Sequence, residues 1–134
     1  MTGRLTGSLI DAIVLTLQQR KEDDMTEEEI IIRAVEFGRQ AARKATQDFL
    51  DANGDRDCCG FAWLTVYTDG RSKVGRALMK AGFKKMYGQK GLQMWNPSGH
   101  LTQALTAKEY GAEAMARELR TRLGVEAYAG SRMD

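Results

Sequence analysis

Cys58-Cys59-Gly60-Phe61-Ala62-Trp63-Leu64-Thr65-Val66-Tyr67 is the stretch that decides the fold. Its side chains alternate in kind, which is the period of a strand and not of a helix. Cys59, Phe61, Trp63, Thr65 and Tyr67 point one way; Cys58, Gly60, Ala62, Leu64 and Val66 point the other. The small face predicts a closely packed helix layer. Phe61 and Trp63 are expected in the core on the opposite side, and at least one of the two adjacent cysteines is expected there too. Left uncovered, the aromatic face would instead be a platform on which bases stack.

Working downstream, Asp69-Gly70 marks a turn, and Ser72 caps a short helix to Ala81 that Gly82 ends. Val74, Ala77, Leu78 and Ala81 form its apolar side; Lys73, Arg76 and Lys80 lie together on the other. Phe83 to Met86 and Leu92 to Trp95 read as strands flanking a Gly88 to Gly91 turn. Asn96-Pro97-Ser98-Gly99 is a turn signal. Thr106 opens the last helix, with Glu109 at the capping-box position and Ala112, Met115, Ala116, Leu119 and Leu123 on its apolar side. Glu113–Arg117 and Glu118–Arg122 are favourable pairs along it. Gly124 ends it, Val125 to Ala129 form a closing strand, and Arg132 to Asp134 finish as exposed polar residues. From Cys58 on, the order is strand, helix, strand, strand, helix, strand, which is the ferredoxin-like split βαβ order. The fold class is therefore α+β, a small antiparallel sheet with helices on one side.

Upstream, Thr26 opens a helix of about seven turns, with Glu29 at the capping-box position and Glu27 to Glu29 against the positive end of the helix dipole. Ile31, Ala34, Val35, Gly38, Ala41, Ala42, Ala45 and Phe49 fall on one stripe, and Asn53-Gly54 stops the helix. The Ala/Gly stripe allows close approach to a sheet or, through the 26–52 helix, to a second copy in a homodimer. Ser8 begins an earlier helix with Ile10, Ile13, Val14 and Leu17 at helical spacing. Residues 1–54 thus read as a helical layer or arm on a 55–134 α+β core, together one domain of 134 residues.

The apolar fraction of 43% and net charge of +2 exclude a disordered chain. The longest apolar candidate, Leu9 to Leu17, is interrupted by Asp11 and falls short of the ~20 residues of a membrane helix. It also lacks a signal-peptide cleavage site, so an intracellular location is expected and a membrane partner is not. Charge is segregated. Residues 1–69 carry thirteen acids and eight bases, whereas 70–108 carry Arg71, Lys73, Arg76, Lys80, Lys84, Lys85, Lys90 and Lys108 and no acid. Such asymmetry points to an anionic partner, unless folding brings the acidic N-terminal region against the basic face. Arg71, Lys73, Arg76, Lys80, Lys84, Lys85 and Lys90 are the candidate anion or nucleic-acid contacts, with Phe61, Trp63 and Trp95 stacking if exposed.

No P-loop, nucleotide fingerprint, zinc spacing or paired-carboxylate pattern occurs, so the sequence implies no cofactor and no metal. His100 is the single histidine, and nothing in the spacing brings it to Ser98, Ser131 or Cys58 as a catalytic set. Binding, with nucleic acid or another protein as partner, is therefore expected in place of catalysis. In a second reading, Asp23, Asp24, Glu27, Glu28 and Glu29 imitate phosphates and block a nucleic-acid groove on a target protein.

Cys59-Gly60-Phe61-Ala62-Trp63-Leu64 is similar to the first RNA-recognition signature of RRM domains, with Cys59 where that signature carries a base. Arg71-x-x-x-Gly75-Arg76-Ala77-Leu78 resembles the acyl-CoA phosphate loop of N-acetyltransferases, although the helix it feeds stops at Gly82. At Gly60-Phe61-Ala62-Trp63, Trp95-Asn96-Pro97-Ser98-Gly99 and Ala127-Tyr128-Ala129-Gly130-Ser131-Arg132-Met133-Asp134, the chain resembles small accessory proteins of tailed bacteriophages. That resemblance covers residues 55–134 and brings no site residues with it. It implies expression in the bacterial host cytoplasm and action by binding host machinery, including nucleic-acid-bound defence complexes.

Overall fold

The computed structural model describes residues 25–55, 58–86 and 90–133; the expected Ser8 to Leu17 helix, Asp23, Asp24 and the first half of the Gly88 to Gly91 turn lie outside them. Thr26 caps helix α1 (Glu27–Asn53) as its sequence requires, its hydroxyl accepting the Glu29 N–H at 3.2 Å. Gly54, at φ 76°, ends it by donating its N–H to Leu50 O at 2.7 Å. The remaining elements are β1 (Gly60–Val66), α2 (Lys73–Lys80), β2 (Lys84–Lys85), β3 (Leu92–Trp95), α3 (Leu105–Leu123) and β4 (Ala127–Met133).

The four strands form one sheet in the order β2-β3-β1-β4, every neighbouring pair antiparallel. β1 and β2 are thus parallel with β3 inserted between them, the split βαβ arrangement that the element order predicts. The register places Trp63 opposite Trp95 on one side and Gly130 on the other. Leu64, Val66, Leu92, Met94 and Ala127 turn to the helices, where they join Leu78, Met115 and Leu119 in a single core. Their parity sends Phe61, Trp63, Tyr67, Gln93, Trp95 and Tyr128 to the opposite face.

α1 packs mainly along α3, antiparallel to it, and its N-terminal half also meets α2. The small-residue stripe makes this possible: a Cβ at Gly38 would stand 2.8 Å from Met115 Cγ, and Ala42 is fully buried. Gly38, Ala42 and Thr46 therefore face their own chain, and a second copy would have to use another surface of the 26–52 helix. Buried Thr46 donates its hydroxyl to Ala107 O at 2.7 Å, a polar tie between the two long helices.

Several local expectations change. α3 starts two residues early, with Ala104 in place of Thr106 at its N-cap. Ala104 is fully buried and its N–H is taken by Thr102 Oγ1 at 3.1 Å, which fixes the chain before Thr106 is reached. β2 is confined to Lys84–Lys85 because Phe83 is drawn into the core, its N–H on Leu78 O. β4 runs on to Met133, through the residues expected as a polar end, since Ala129 to Met133 complete the ladder with β1. Glu113 pairs with Arg120, not Arg117, at 2.8 Å. Gly75 is accounted for by packing: a Cβ there would collide with Asp69 O, so it serves the tight entry into α2.

Candidate nucleic-acid interface

The sheet face opposite the helices carries the aromatic residues of the two central strands, contrary to the expectation that Phe61 and Trp63 lie in the core. The reason is the layer count: all three described helices cover one face, and the small side of β1 is what they need. Phe61 remains 39% exposed and Trp95 53%, whereas Trp63 is partly covered. Their rings form a connected group, Phe61 to Trp95 edge-on at 6.1 Å and Trp95 to Trp63 tilted at 5.1 Å. A second pair, Tyr67 and Tyr128, stands 5.9 Å apart at the other end of the same face.

Cations border this surface. Arg132 lies over the Phe61 ring at 5.6 Å, and Lys108 reaches it at 5.8 Å while donating to Gly60 O at 2.9 Å. Lys84 stands opposite Gln93 at the β2 edge, and Arg43 joins it beside Trp95 and Asn96. Of these only Lys84 is in the set of seven bases singled out from the sequence. Arg132, Lys108, Arg43, Tyr67 and Tyr128 were missed, because their membership depends on the β1–β4 register and on which helix borders which edge.

The fold divides the rest of the basic segment. Lys73, Arg76 and Lys80 project from α2 on the helix side of the molecule, where they face Thr26, Glu27 and Glu28 across a groove. Lys80 Nζ meets Glu28 Oε1 at 2.9 Å. The acidic start of α1 thus partly compensates the basic helix, as the segregation of charge allowed. Arg71, Lys85 and Lys90 gather elsewhere, with Tyr67, Thr68, Asp69, Gly70 and Gly91, around a cleft of about 500 Å³ at the end of the sheet.

His100 holds its loop. Its Nδ1 accepts the Thr102 N–H at 3.0 Å, which leaves Nε2 to donate to Gln47 Oε1 at 3.2 Å. Asn96, at φ 45°, donates its Nδ2 to His100 O at 3.0 Å, Ser98 donates to Asn96 Oδ1, and Thr102 donates to Asp55. Asn is among the few non-glycine residues that tolerate this backbone region. Ser98 belongs to this network, whereas Ser131 sits on β4 away from it. Cys58 and Cys59 are both exposed, not in the core, because the strand pairs fully only from Gly60 and Cys59 makes a single bridge to Ala104. Among the described residues no group of three or more His, Cys, Asp or Glu could hold a metal ion, and no helix is long and apolar enough to cross a membrane. No protein-family model, curated protein or solved structure matches this chain.

Proposed function

We propose that this protein acts by binding single-stranded nucleic acid on the open face of its sheet, alone or within a host assembly that handles nucleic acid. In context it would be a small phage-type protein of the bacterial cytoplasm. The observation that carries the reading is the connected, partly exposed group Phe61, Trp95 and Trp63 on two adjacent central strands. Bases present a π-face whatever their sequence, and each base stacked on an aromatic ring contributes about 1–3 kcal/mol. Arg132, Lys108 and Lys84 supply positive charge at the rim for the phosphates. A duplex hides its base faces, so the platform favours single strands.

The alternative is a protein inhibitor that presents the acids at the start of α1 in place of phosphates. The Lys80–Glu28 pair weighs against it, since a phosphate mimic needs its charge unneutralised. Fluorescence anisotropy with labelled single- and double-stranded DNA and RNA, at low and moderate salt, tests the choice. Single strands should bind at about micromolar Kd or tighter, with a steep salt slope. Absence of binding at low salt, or unchanged binding when Trp63 and Trp95 are both replaced by Ala, would overturn the reading.

A further inference from the structure

The cleft at the Tyr67 end of the sheet has a charge that the platform does not explain. Its walls are Tyr67 to Arg71, the turn leading out of β1, Lys85 of β2, and Lys90 and Gly91 from the β2–β3 connection. Among the described residues Arg71, Lys85 and Lys90 have no ion-pair partner. Asp69 is the acid in the lining, and its Oδ1 is already engaged, accepting the Arg71 N–H at 2.9 Å. Three cations against one carboxylate leave an excess of two positive charges. An internal phosphodiester carries one negative charge, whereas a phosphomonoester carries close to two at neutral pH. Tyr67 is shared: it lines the cleft, and its ring stands beside Tyr128 on the open face.

We propose that the cleft receives the terminal phosphate of a single strand lying on the aromatic face, so that the protein binds strand ends in preference to strand interiors. This rests on the reading of that face as a nucleic-acid surface. Arg71, Lys85 and Lys90 surround the phosphomonoester, and Tyr67 stacks on the terminal base or sugar. From the cleft, which Lys85 enters from the helix side, the strand passes over the end of the sheet at Tyr67 and runs along β1 towards Trp63, Trp95 and Phe61, about 20 Å along the sheet.

The test uses the full chain and three internally labelled oligonucleotides of one sequence, ending in a 5′-phosphate, a 3′-phosphate or hydroxyls at both ends. One phosphorylated form should bind roughly tenfold tighter than the hydroxyl-ended form, and which one gives the polarity of the strand. Replacing Arg71, Lys85 and Lys90 together by Ala, all three exposed, should abolish that advantage and weaken hydroxyl-ended binding only about two- to threefold, through the long-range field. Circular dichroism checks that the variant is folded. Equal binding of all three ends overturns the terminal-phosphate proposal and leaves the platform standing. Failure of all three to bind overturns both. A triple variant that weakens every oligonucleotide equally also overturns the proposal, since the cleft would then add only general charge.

Discussion

The indole of Trp63 rests on Gly130, the residue paired with it on β4: a methyl group built at 130 would stand 2.5 Å from Trp63 Nε1 and 2.6 Å from Cε2. A side chain on β4 at that point and a ring leaning across from β1 exclude one another. Gly130→Ala should therefore push Trp63 off its position and cost about 1–3 kcal/mol, with Gly130→Val at the upper end. Thermal denaturation reads the loss. Tryptophan emission reads the displacement, because both tryptophans of the chain lie on this face.

Trp95 is the most exposed member of the central ring group, so its removal separates binding from stability. Trp95→Ala should change the melting temperature little and weaken single-strand binding by about 1–3 kcal/mol, a factor of roughly 5 to 150. Anisotropy and a melting curve on the same preparation check both halves. A variant that melts early and still binds normally would contradict the assignment.

Between α1 and α3 the critical contact is polar. Thr46 is fully buried, donates to Ala107 O, and lies so close to Gly111 that a Cβ there would collide with its hydroxyl. Thr46→Val keeps the shape and removes the donor, which should lower stability by about 1–2 kcal/mol in urea denaturation. Gly111→Ala should cost at least as much, by overpacking the same place.

Charge reversal on α2 distinguishes the two sides of the molecule. Lys73, Arg76 and Lys80 face the start of α1, away from the aromatic face. Replacing Lys73 and Arg76 by Glu should change oligonucleotide affinity only about two- to threefold, through the long-range field. Arg132→Ala, beside Phe61, should weaken binding more and reduce the salt slope by about one ion. Glu28→Gln, which breaks an exposed pair, should cost less than about 1 kcal/mol.

Much of the architecture is written in local pattern. Thr26 and Ser72 both cap the helices they were expected to cap, and Leu92 to Trp95 is a strand with the expected ends. The strand-helix order also carried the topology, because few chain paths satisfy it. The face assignment was not legible in the same way. Alternation in β1 separates Phe61 and Trp63 from Leu64 and Val66 but does not say how many helix layers there are to cover them. Nor does sequence proximity locate the bases. Lys84 and Lys85 are neighbours yet go to different places, one opposite Gln93 at the platform edge and one into the cleft, because a strand sends successive side chains opposite ways.

The position of β1 at the centre of the sheet also governs how the molecule comes into being. Both of its partners lie downstream, so Trp63 waits for Trp95 and then for Gly130 before its backbone is fully bonded. At a ribosomal rate of about 5–20 residues per second, β1 spends several seconds as a nascent apolar strand with neither partner yet made. No hairpin can nucleate it, and the closing step joins its first residue, Gly60, to Met133. Assembly should accordingly be slower than that of a helical bundle of this size, whose contacts are mostly local. During synthesis, the same aromatic residues are exposed to chaperones and to aggregation before any nucleic acid could occupy them.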